Sequence, residues 1–203
     1  MGAVAARPEL RRLGLADPAG RWEALGFAVH ADIMCLGGAS LQLGLPGDGI
    51  VGWAVSGLIG DIDGLPSLLS PHRPAGALPH PNGAIGLDHV VVITPDFDRT
   101  AAALEQEGLA LRRTRETPGG IRQGFRRLGP AILELVQAPA QTEPGPARFW
   151  GLVVIVEDLQ ALAERLGERL GPIHPAVQPG RRIATLRASA GLGQAVAFMD
   201  PAS

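Results

Sequence analysis

The most constraining feature of this sequence is a pattern that occurs twice in its second half. The stretch HVVVITPDF at 89–97 matches GLVVIVEDL at 151–159, and GPAILELVQAP at 129–139 matches GQAVAFMDPAS at 193–203. The first match is an apolar run followed by acidic residues, and the second is a strand-like segment near the end of each copy. We interpret the pattern as an internal duplication of about 55 residues, which predicts two copies of one structural unit.

The first copy predicts the element order β-α-β-β-β. Residues 87–94 are apolar after His89 and predict a buried strand. Thr94 or Asp96 can cap the helix that follows, and Gly108 ends it. Three short strand-like segments come next, separated by turn residues: LALRRTRE, IRQGFRRLG and AILELVQAP.

The second copy repeats this order. FWGLVVIVED predicts a strand that ends in an acidic helix cap, and HPAVQP, RRIATLRAS and QAVAFMD predict three more short strands. Between them, LQALAERLGERLG predicts an amphipathic helix with four leucines on one face: Leu159, Leu162, Leu166 and Leu170.

The N-terminal part is predicted to be a degraded relative of the same unit. LRRLGLAD and PAGRWEALG predict a strand and a short helix, and FAVHADI, MCLGGASLQLG and GIVGWAVSGL predict further strands. A proline-rich linker at 70–83 follows, and a second break at 138–147 separates the two copies. Two histidines of the linker, His72 and His80, are expected to be exposed.

Composition and charge narrow the function classes. Hydrophobic residues make up 46% and charged residues 19% of the 203 residues, which is typical of a soluble globular protein. The formal net charge of −2 offers no general attraction to nucleic acid or to anionic lipid.

Cys35 is the only cysteine, so an intramolecular disulfide is excluded. No run approaches the ~18 apolar residues of a membrane helix. A cytoplasmic location is therefore expected.

The doubled β-α-β-β-β unit, with a histidine early in its first strand and a glutamate in its fourth, resembles the glyoxalase/bleomycin-resistance/dioxygenase superfamily, also called the vicinal oxygen chelate superfamily. GLDHVVVITPDFDRTAAALEQEGL, RQGFRRLGPAILELV and FWGLVVIVEDLQAL carry the resemblance. It implies an α+β fold in which paired βαβββ modules form a curved mixed sheet around a cleft. It places a glyoxalase-like domain at 84–203, with modules at 86–139 and 147–200, after a degenerate extra module at 1–69.

The resemblance implies two site residues in the first module. His89 matches the first-strand position of a metal ligand, and Glu134 matches the fourth-strand position. Together they are expected in the cleft, as ligands of a divalent ion (Zn, Mn, Ni, Fe or Co) or as an acid/base pair without a metal. Two other readings stay open: a strand-end histidine bonded to backbone, and a glutamate paired with an arginine of RQGFRR.

The second module departs from this pattern. Aligned by sequence, Gly151 matches His89 and Phe198 matches Glu134, and neither side chain binds a metal. His174 is a candidate substitute, although its proline-flanked position favours an exposed loop.

Four further residues are predicted to bind the substrate. Gln123 and Phe125 share one face of their strand and would give the cleft a polar contact and an aromatic wall. Trp150 and Phe198 would form an apolar pocket in the second module. At most one of the adjacent Arg181 and Arg182 can reach the cleft, and a solvated position is expected for both.

Three hypotheses for function follow. The first is a glyoxalase-like lyase or isomerase that acts on a small oxygen-bearing metabolite. The second is a metal-independent protein that binds a drug or antibiotic, like the bleomycin-resistance members. The third is a non-catalytic remnant that forms homodimers through its N-terminal module. All three predict a small-molecule or self-association partner rather than nucleic acid or membrane.

Overall fold

The computed structural model describes residues 7–68, 79–138 and 144–202. Its helices and strands within these ranges are β1 (Leu10–Leu15), α1 (Ala19–Glu23), β2 (Ile33–Leu36), β3 (Ala39–Gln42), β4 (Ile50–Val55), β5 (Ala84–Ile93), α2 (Phe97–Gln106), β6 (Arg113–Glu116), β7 (Arg122–Leu128), β8 (Ala131–Gln137), β9 (Arg148–Val156), α3 (Leu159–Leu166), β10 (His174–Pro175), β11 (Arg182–Thr185) and β12 (Ala195–Met199). No described helix is long and apolar enough to cross a membrane.

An eight-stranded sheet carries the duplicated half of the chain. Its strand order is β10-β11-β12-β9-β5-β8-β7-β6. In each half the first strand lies parallel to the last, β5 to β8 and β9 to β12, and β5 and β9 run antiparallel at the centre. The parallel pairing requires a crossover, which α2 and α3 supply. This topology confirms the predicted α+β fold of paired βαβββ modules.

The two helices begin at matching aspartates. Asp96 accepts a hydrogen bond from the backbone N–H of Arg99, and Asp158 accepts two, from Gln160 and Ala161. These bonds satisfy N–H groups that the first turn leaves without a helical partner. The predicted apolar face of α3 is buried through its three leucines, but the helix ends at Leu166 and Leu170 lies beyond it.

The N-terminal strands form a separate four-stranded sheet with the order β2-β3-β1-β4. β1 lies parallel to β3 and antiparallel to β4, so the last strand is antiparallel to the first, whereas it is parallel to the first in the later modules. The predicted strand in FAVHADI does not form, because Ala31 and Asp32 have positive φ values in a tight turn between His30 and Ile33. The segment MCLGGASLQLG forms most of the β2–β3 hairpin, which turns at Gly37 and Gly38.

Polar and aromatic contacts hold this sheet against the rest of the chain. His80 is buried, contrary to the sequence expectation. Its Nδ1 accepts from the N–H of Ala28 (2.9 Å) and its Nε2 donates to the carbonyl of Cys35 (2.8 Å). Trp53 packs edge-on against Phe149, with ring centroids 5.4 Å apart. Residues 70–78 of the predicted linker, with His72, lie outside the described residues.

Candidate functional site

One face of the eight-stranded sheet lines a cleft of about 730 Å³. All eight strands contribute side chains to it, and its size lies in the range of small-molecule sites. Four of the residues singled out from the sequence line it: His89, Gln123, Phe125 and Glu134. The cleft also contains Arg113 and Arg115 on β6, Val153 on β9, His174 on β10 and Met199 on β12.

His89 enters the cleft beside a bulge in β5. Leu87 pairs with Val154 and His89 pairs with Val153, so Asp88 is an extra residue that has no pairing partner on β9. In regular strand geometry Asp88 and His89 would point to opposite faces, whereas a bulge lets neighbouring side chains approach. The Asp88 Oδ2 and His89 Nδ1 atoms are 2.5 Å apart.

Asp88 has a second cationic neighbour that comes from the other module. The Arg181 Nη2 atom lies 2.9 Å from Asp88 Oδ1, and all three side chains are at most 10% exposed. Neither approach is straight enough to count as a well-aligned hydrogen bond, so the groups interact mainly through charge and proximity. The Nδ1 atom of His89 therefore faces the Asp88 carboxylate, and the other ring nitrogen, Nε2, is the one on the side of the cleft.

The ionisation of Asp88 reflects these neighbours. Burial alone raises the pKa of this carboxyl group, but the contact and charge of His89, followed by those of Arg181, outweigh burial. The pKa of Asp88 is therefore below its ordinary value. The buried carboxylate therefore stays charged beside the His89 Nδ1 atom.

Arg181 and Arg182 differ in a way that the sequence did not predict. Arg181 is buried, and its Nε donates to the carbonyl of Asp200 (2.7 Å), so the expected solvated position was wrong for this residue. Arg182 is exposed and pairs with the Asp200 carboxylate at 2.7 Å. The neighbouring arginines therefore have separate roles, one inside the site and one on the surface.

Glu134 is held by an amide rather than by an arginine. Gln123 Nε2 donates to Glu134 Oε1 (2.6 Å), and Arg115 Nε donates to Gln123 Oε1 (2.7 Å). The Arg115 guanidinium also lies over the Phe125 ring, 5.4 Å from its centroid. Among the described residues, no arginine forms an ion pair with Glu134. These two hydrogen bonds hold the Glu134 carboxylate in place, and the positive charge of Arg115 lies one residue further along the chain of hydrogen bonds.

The second module presents apolar side chains to the same cleft. Val153 pairs directly with His89 across the central strands, and both residues line the cleft. Met199 lines the cleft from β12, which is parallel to β9, as Glu134 does from β8, which is parallel to β5.

The second-module positions taken from the sequence supply no side chain to the cleft. Gly151 follows an extra residue of β9 as His89 follows one of β5, and it has no side chain. The fourth-strand alignment is one residue off, because Glu134 pairs with the residue two positions after His89, whereas Ala197 rather than Phe198 pairs with the residue two positions after Gly151. Phe198 is fully buried on the other face of β12, where it stacks on Phe27 with centroids 6.2 Å apart. Trp150 is 52% exposed and does not line the cleft. A shift of one residue between similar apolar strands turns a side chain to the other face of the sheet.

The cleft does not offer the donor set that a metal site of the superfamily's usual kind requires. His89 and Glu134 provide two ligands, whereas catalytic zinc sites have three and structural ones four. Val153 offers none and Met199 only a thioether. His174 lines the cleft, but it is exposed and its Nδ1 contacts a neighbouring carbonyl. Within the described ranges, no three His, Cys, Asp or Glu side chains gather as a metal site would need.

Comparisons with known proteins agree with this fold. No protein-family model and no curated protein matches the chain. Among solved structures, it is similar to methylmalonyl-CoA epimerase from Mycobacterium tuberculosis, with 21% identity and a TM-score of 0.50 over 67% of this chain and 94% of that one. The hypothetical protein BH1468 from Bacillus halodurans is similar at 17% identity and a TM-score of 0.47, over 58% of this chain and 94% of that one.

The topology and the likeness to the Mycobacterium tuberculosis epimerase define the fold of this chain. The chain has the fold of the glyoxalase/bleomycin-resistance/dioxygenase superfamily, as its sequence resemblance implied. At these identities the likeness establishes the fold and not the activity.

Sequence reasoning missed Asp88 and expected a solvated Arg181, whereas the two side chains meet beside His89. Asp88 stands next to His89 in the sequence, and in a regular strand the two side chains would point to opposite faces. Only the bulge brings it to the imidazole.

Proposed function

We propose that this protein is an isomerase or lyase that moves a proton on a small oxygen-bearing metabolite bound in the cleft. The observation that carries the proposal is that His89 and Glu134 line the same cleft, with Asp88 against the inner nitrogen of His89. Two groups that can exchange protons, placed on one surface, are what proton abstraction and return require.

His89 is the base in this proposal. Asp88 holds the proton on Nδ1, so the Nε2 lone pair is free to take a proton from the substrate. The carboxylate then stabilises the imidazolium that forms, the role that an aspartate has beside histidine in other acid/base sites.

Glu134 and the arginines act on the oxygen-bearing part of the substrate. A proton removed next to a carbonyl leaves negative charge on the carbonyl oxygen, and the guanidinium groups of Arg113 and Arg115 bring positive charge to the cleft. Glu134, fixed by Gln123, is placed to exchange a proton with a substrate hydroxyl. None of these steps involves a metal ion.

Proton exchange with solvent tests the proposal without a known substrate. The protein is incubated in D₂O with a panel of 2-hydroxy ketones, 2-substituted acids and acyl thioesters, and the loss of C–H signals is followed by NMR. We expect exchange in at least one compound, and a loss of about 100-fold or more in His89→Gln, the usual size of a general-base contribution. Trp150→Ala is the control and should exchange at the original rate.

Two results would contradict this proposal. One is the absence of exchange across the whole panel, and the other is exchange that His89→Gln leaves unchanged. Metal analysis after exposure to Mn, Ni, Zn, Fe and Co accompanies the experiment. One bound equivalent that His89→Ala removes would replace the metal-free mechanism with a metal-assisted one.

Binding without catalysis is a second candidate function, because half of the cleft is apolar. Val153, Ile183 and Met199 line it opposite the Phe125 ring. A sequestering protein of the bleomycin-resistance type would use such a surface for an aromatic or cationic drug. A thermal-shift screen with such compounds should then give at least one increase in Tm that Phe125→Ala removes. No increase with any compound would leave this candidate without support.

A homodimer remains a prediction of the third hypothesis. The N-terminal sheet contacts its own chain, since Asp63 accepts two hydrogen bonds from Arg99 of α2 at 3.0 and 3.2 Å. Light scattering on the full chain and on residues 84–203 tests the hypothesis. Two monomers of the expected masses would contradict a role of the N-terminal module in dimerisation.

A further inference from the structure

A second hollow, of about 430 Å³, lies outside the cleft and is lined mainly by arginines. Its lining side chains include Arg7, Arg112, Arg126 and Arg127, and we call it the arginine pocket. Glu9 is the only carboxylate that lines it, against four guanidinium groups. The arginine pocket borders the β7–β8 turn and the segment that leads into β1.

The described residues balance the positive charge of this pocket only in part. Glu9 lines the pocket, but its Oε2 lies 2.5 Å from Arg11 Nη2 and is paired with that residue. Among the described residues, none of the four pocket arginines forms an ion pair with a carboxylate. Like charges that converge with too little counter-charge repel one another, and a bound anion reduces that cost.

Arg126 shows how closely the charges are placed. Its two terminal nitrogens donate to the carbonyls of Ala110 (3.2 Å) and Gly108 (3.3 Å), and its Nε is buried without a partner. Burial, and then the charge of Arg112, lower the pKa of Arg126. Arg126 is thereby fixed in place, whereas Arg112 and Arg127 are exposed and can turn toward a ligand.

We propose that the arginine pocket binds a phosphate group, free or carried by a small molecule. Guanidinium groups match phosphate oxygens with paired N–H donors, and several of them together suit a dianion better than a single carboxylate. The site is distinct from the cleft: Arg112 lines the arginine pocket, and Arg113, the next residue, lines the cleft. The proposal does not rest on the proton-transfer chemistry.

Anion titrations at constant ionic strength test this proposal. Inorganic phosphate, pyrophosphate and glycerol 3-phosphate are titrated by calorimetry, with sodium chloride as the reference salt. At least one phosphate compound should bind saturably. Pyrophosphate or phosphate as the tightest ligand indicates a free anion, and glycerol 3-phosphate as the tightest indicates a phosphorylated metabolite.

Variants locate the binding site. Arg112→Gln and Arg127→Gln should each weaken binding about tenfold, the equivalent of one charge-assisted contact. Both side chains are exposed, so these variants should fold normally. Arg113→Gln and Arg148→Gln remove the same charge from the cleft and from the exposed start of β9, and they should change the affinity less than twofold.

Three outcomes would overturn the proposal: no binding beyond that of chloride, affinities that Arg112→Gln and Arg127→Gln leave unchanged, or a loss confined to Arg113→Gln. The last outcome would place the anion in the cleft. Unchanged phosphate binding in His89→Gln would show that the pocket works independently of the proposed catalytic site.

Discussion

The two halves of the eight-stranded sheet share their topology but differ in the side chains that they present to the cleft. The first half places His89 and Glu134 there, and the second half contributes Val153 and Met199. Backbone pairing follows the pattern of apolar strands and capped helices, which both halves keep. The chemistry of the cleft depends on single side chains, and these can change without altering the pattern of strands and helices.

The bulges of the two central strands show the same contrast. In β5 the extra residue is Asp88, whose carboxylate reaches His89. In β9 the extra residue is Trp150, whose side chain is half exposed. The two halves of the sheet are nevertheless linked, because Arg181 of the second half contacts Asp88 of the first half.

The largest expected effect on stability comes from removing the contact between Arg181 and Asp88. Arg181→Met leaves Asp88 buried without its guanidinium partner. We expect a loss of about 3 kcal/mol in the free energy of unfolding, typical for a disrupted buried ion pair. Arg182→Met, one residue away, removes an exposed pair and should cost less than about 1 kcal/mol. Urea unfolding of the two variants measures the difference, and equal losses would contradict a buried link between the modules.

A second prediction adds potential ligands to the half of the cleft that lacks them. Val153→His combined with Met199→Glu would give the cleft four potential ligands. We expect this variant to lose about 2 kcal/mol without metal, because polar groups replace buried apolar ones. Zinc should then raise its Tm well above any change seen in the unmodified protein.

The positions taken from the sequence alignment provide the control for that prediction. Gly151→His would place a Cβ atom 2.5 Å from the carbonyl oxygen of Ala195, and Phe198→Glu would bury a charge in the core. This double variant should fail to fold with or without zinc. If it gained metal binding and the first variant did not, Val153 and Met199 would not be the second-half residues that reach a metal beside His89 and Glu134.

A third prediction concerns acid stability. The pKa of Asp88 in the folded protein lies below its unfolded value of about 3.9. Its contribution to stability is therefore complete above that value and is lost as the pH falls through the lower, folded pKa. From pH 5 downward past 4, the unmodified protein should lose more stability than Asp88→Asn does.

An exposed aspartate is the control for the pH dependence. Asp98 also has a lowered pKa, because of its hydrogen bond to Arg122, but it is fully exposed and solvent screens the pair. Asp98→Asn should therefore lose stability on acidification almost as the unmodified protein does. Urea unfolding at four pH values between 3 and 6 gives the slopes. A slope in Asp88→Asn equal to that of the unmodified protein would contradict the assigned ion pair.

The sequence was sufficient for the fold of the duplicated half and for part of the cleft. Periodicity and capping aspartates determine the element order. Alternation placed Gln123 and Phe125 on one face, and the family resemblance supplied His89 and Glu134. The location of Asp88, the burial of Arg181 and the position of Met199 in the cleft could not be obtained in this way. Each depends on a bulge or on a contact between distant segments, which alternation within one strand does not encode.

The smallest expected effect again compares two neighbours in β9. Phe149 packs on Trp53, whereas the adjacent Trp150 is 52% exposed because the bulge turns it outward. Trp150→Ala should change the free energy of unfolding by less than about 0.5 kcal/mol, as surface substitutions usually do, and Phe149→Ala should cost about 2 kcal/mol. Ligand binding in the cleft should also survive Trp150→Ala. A larger loss of stability in Trp150→Ala would mean that the Trp150 side chain is covered in solution, for example by a second copy of the chain. Light scattering of the two variants would then distinguish a dimer contact from a local packing defect.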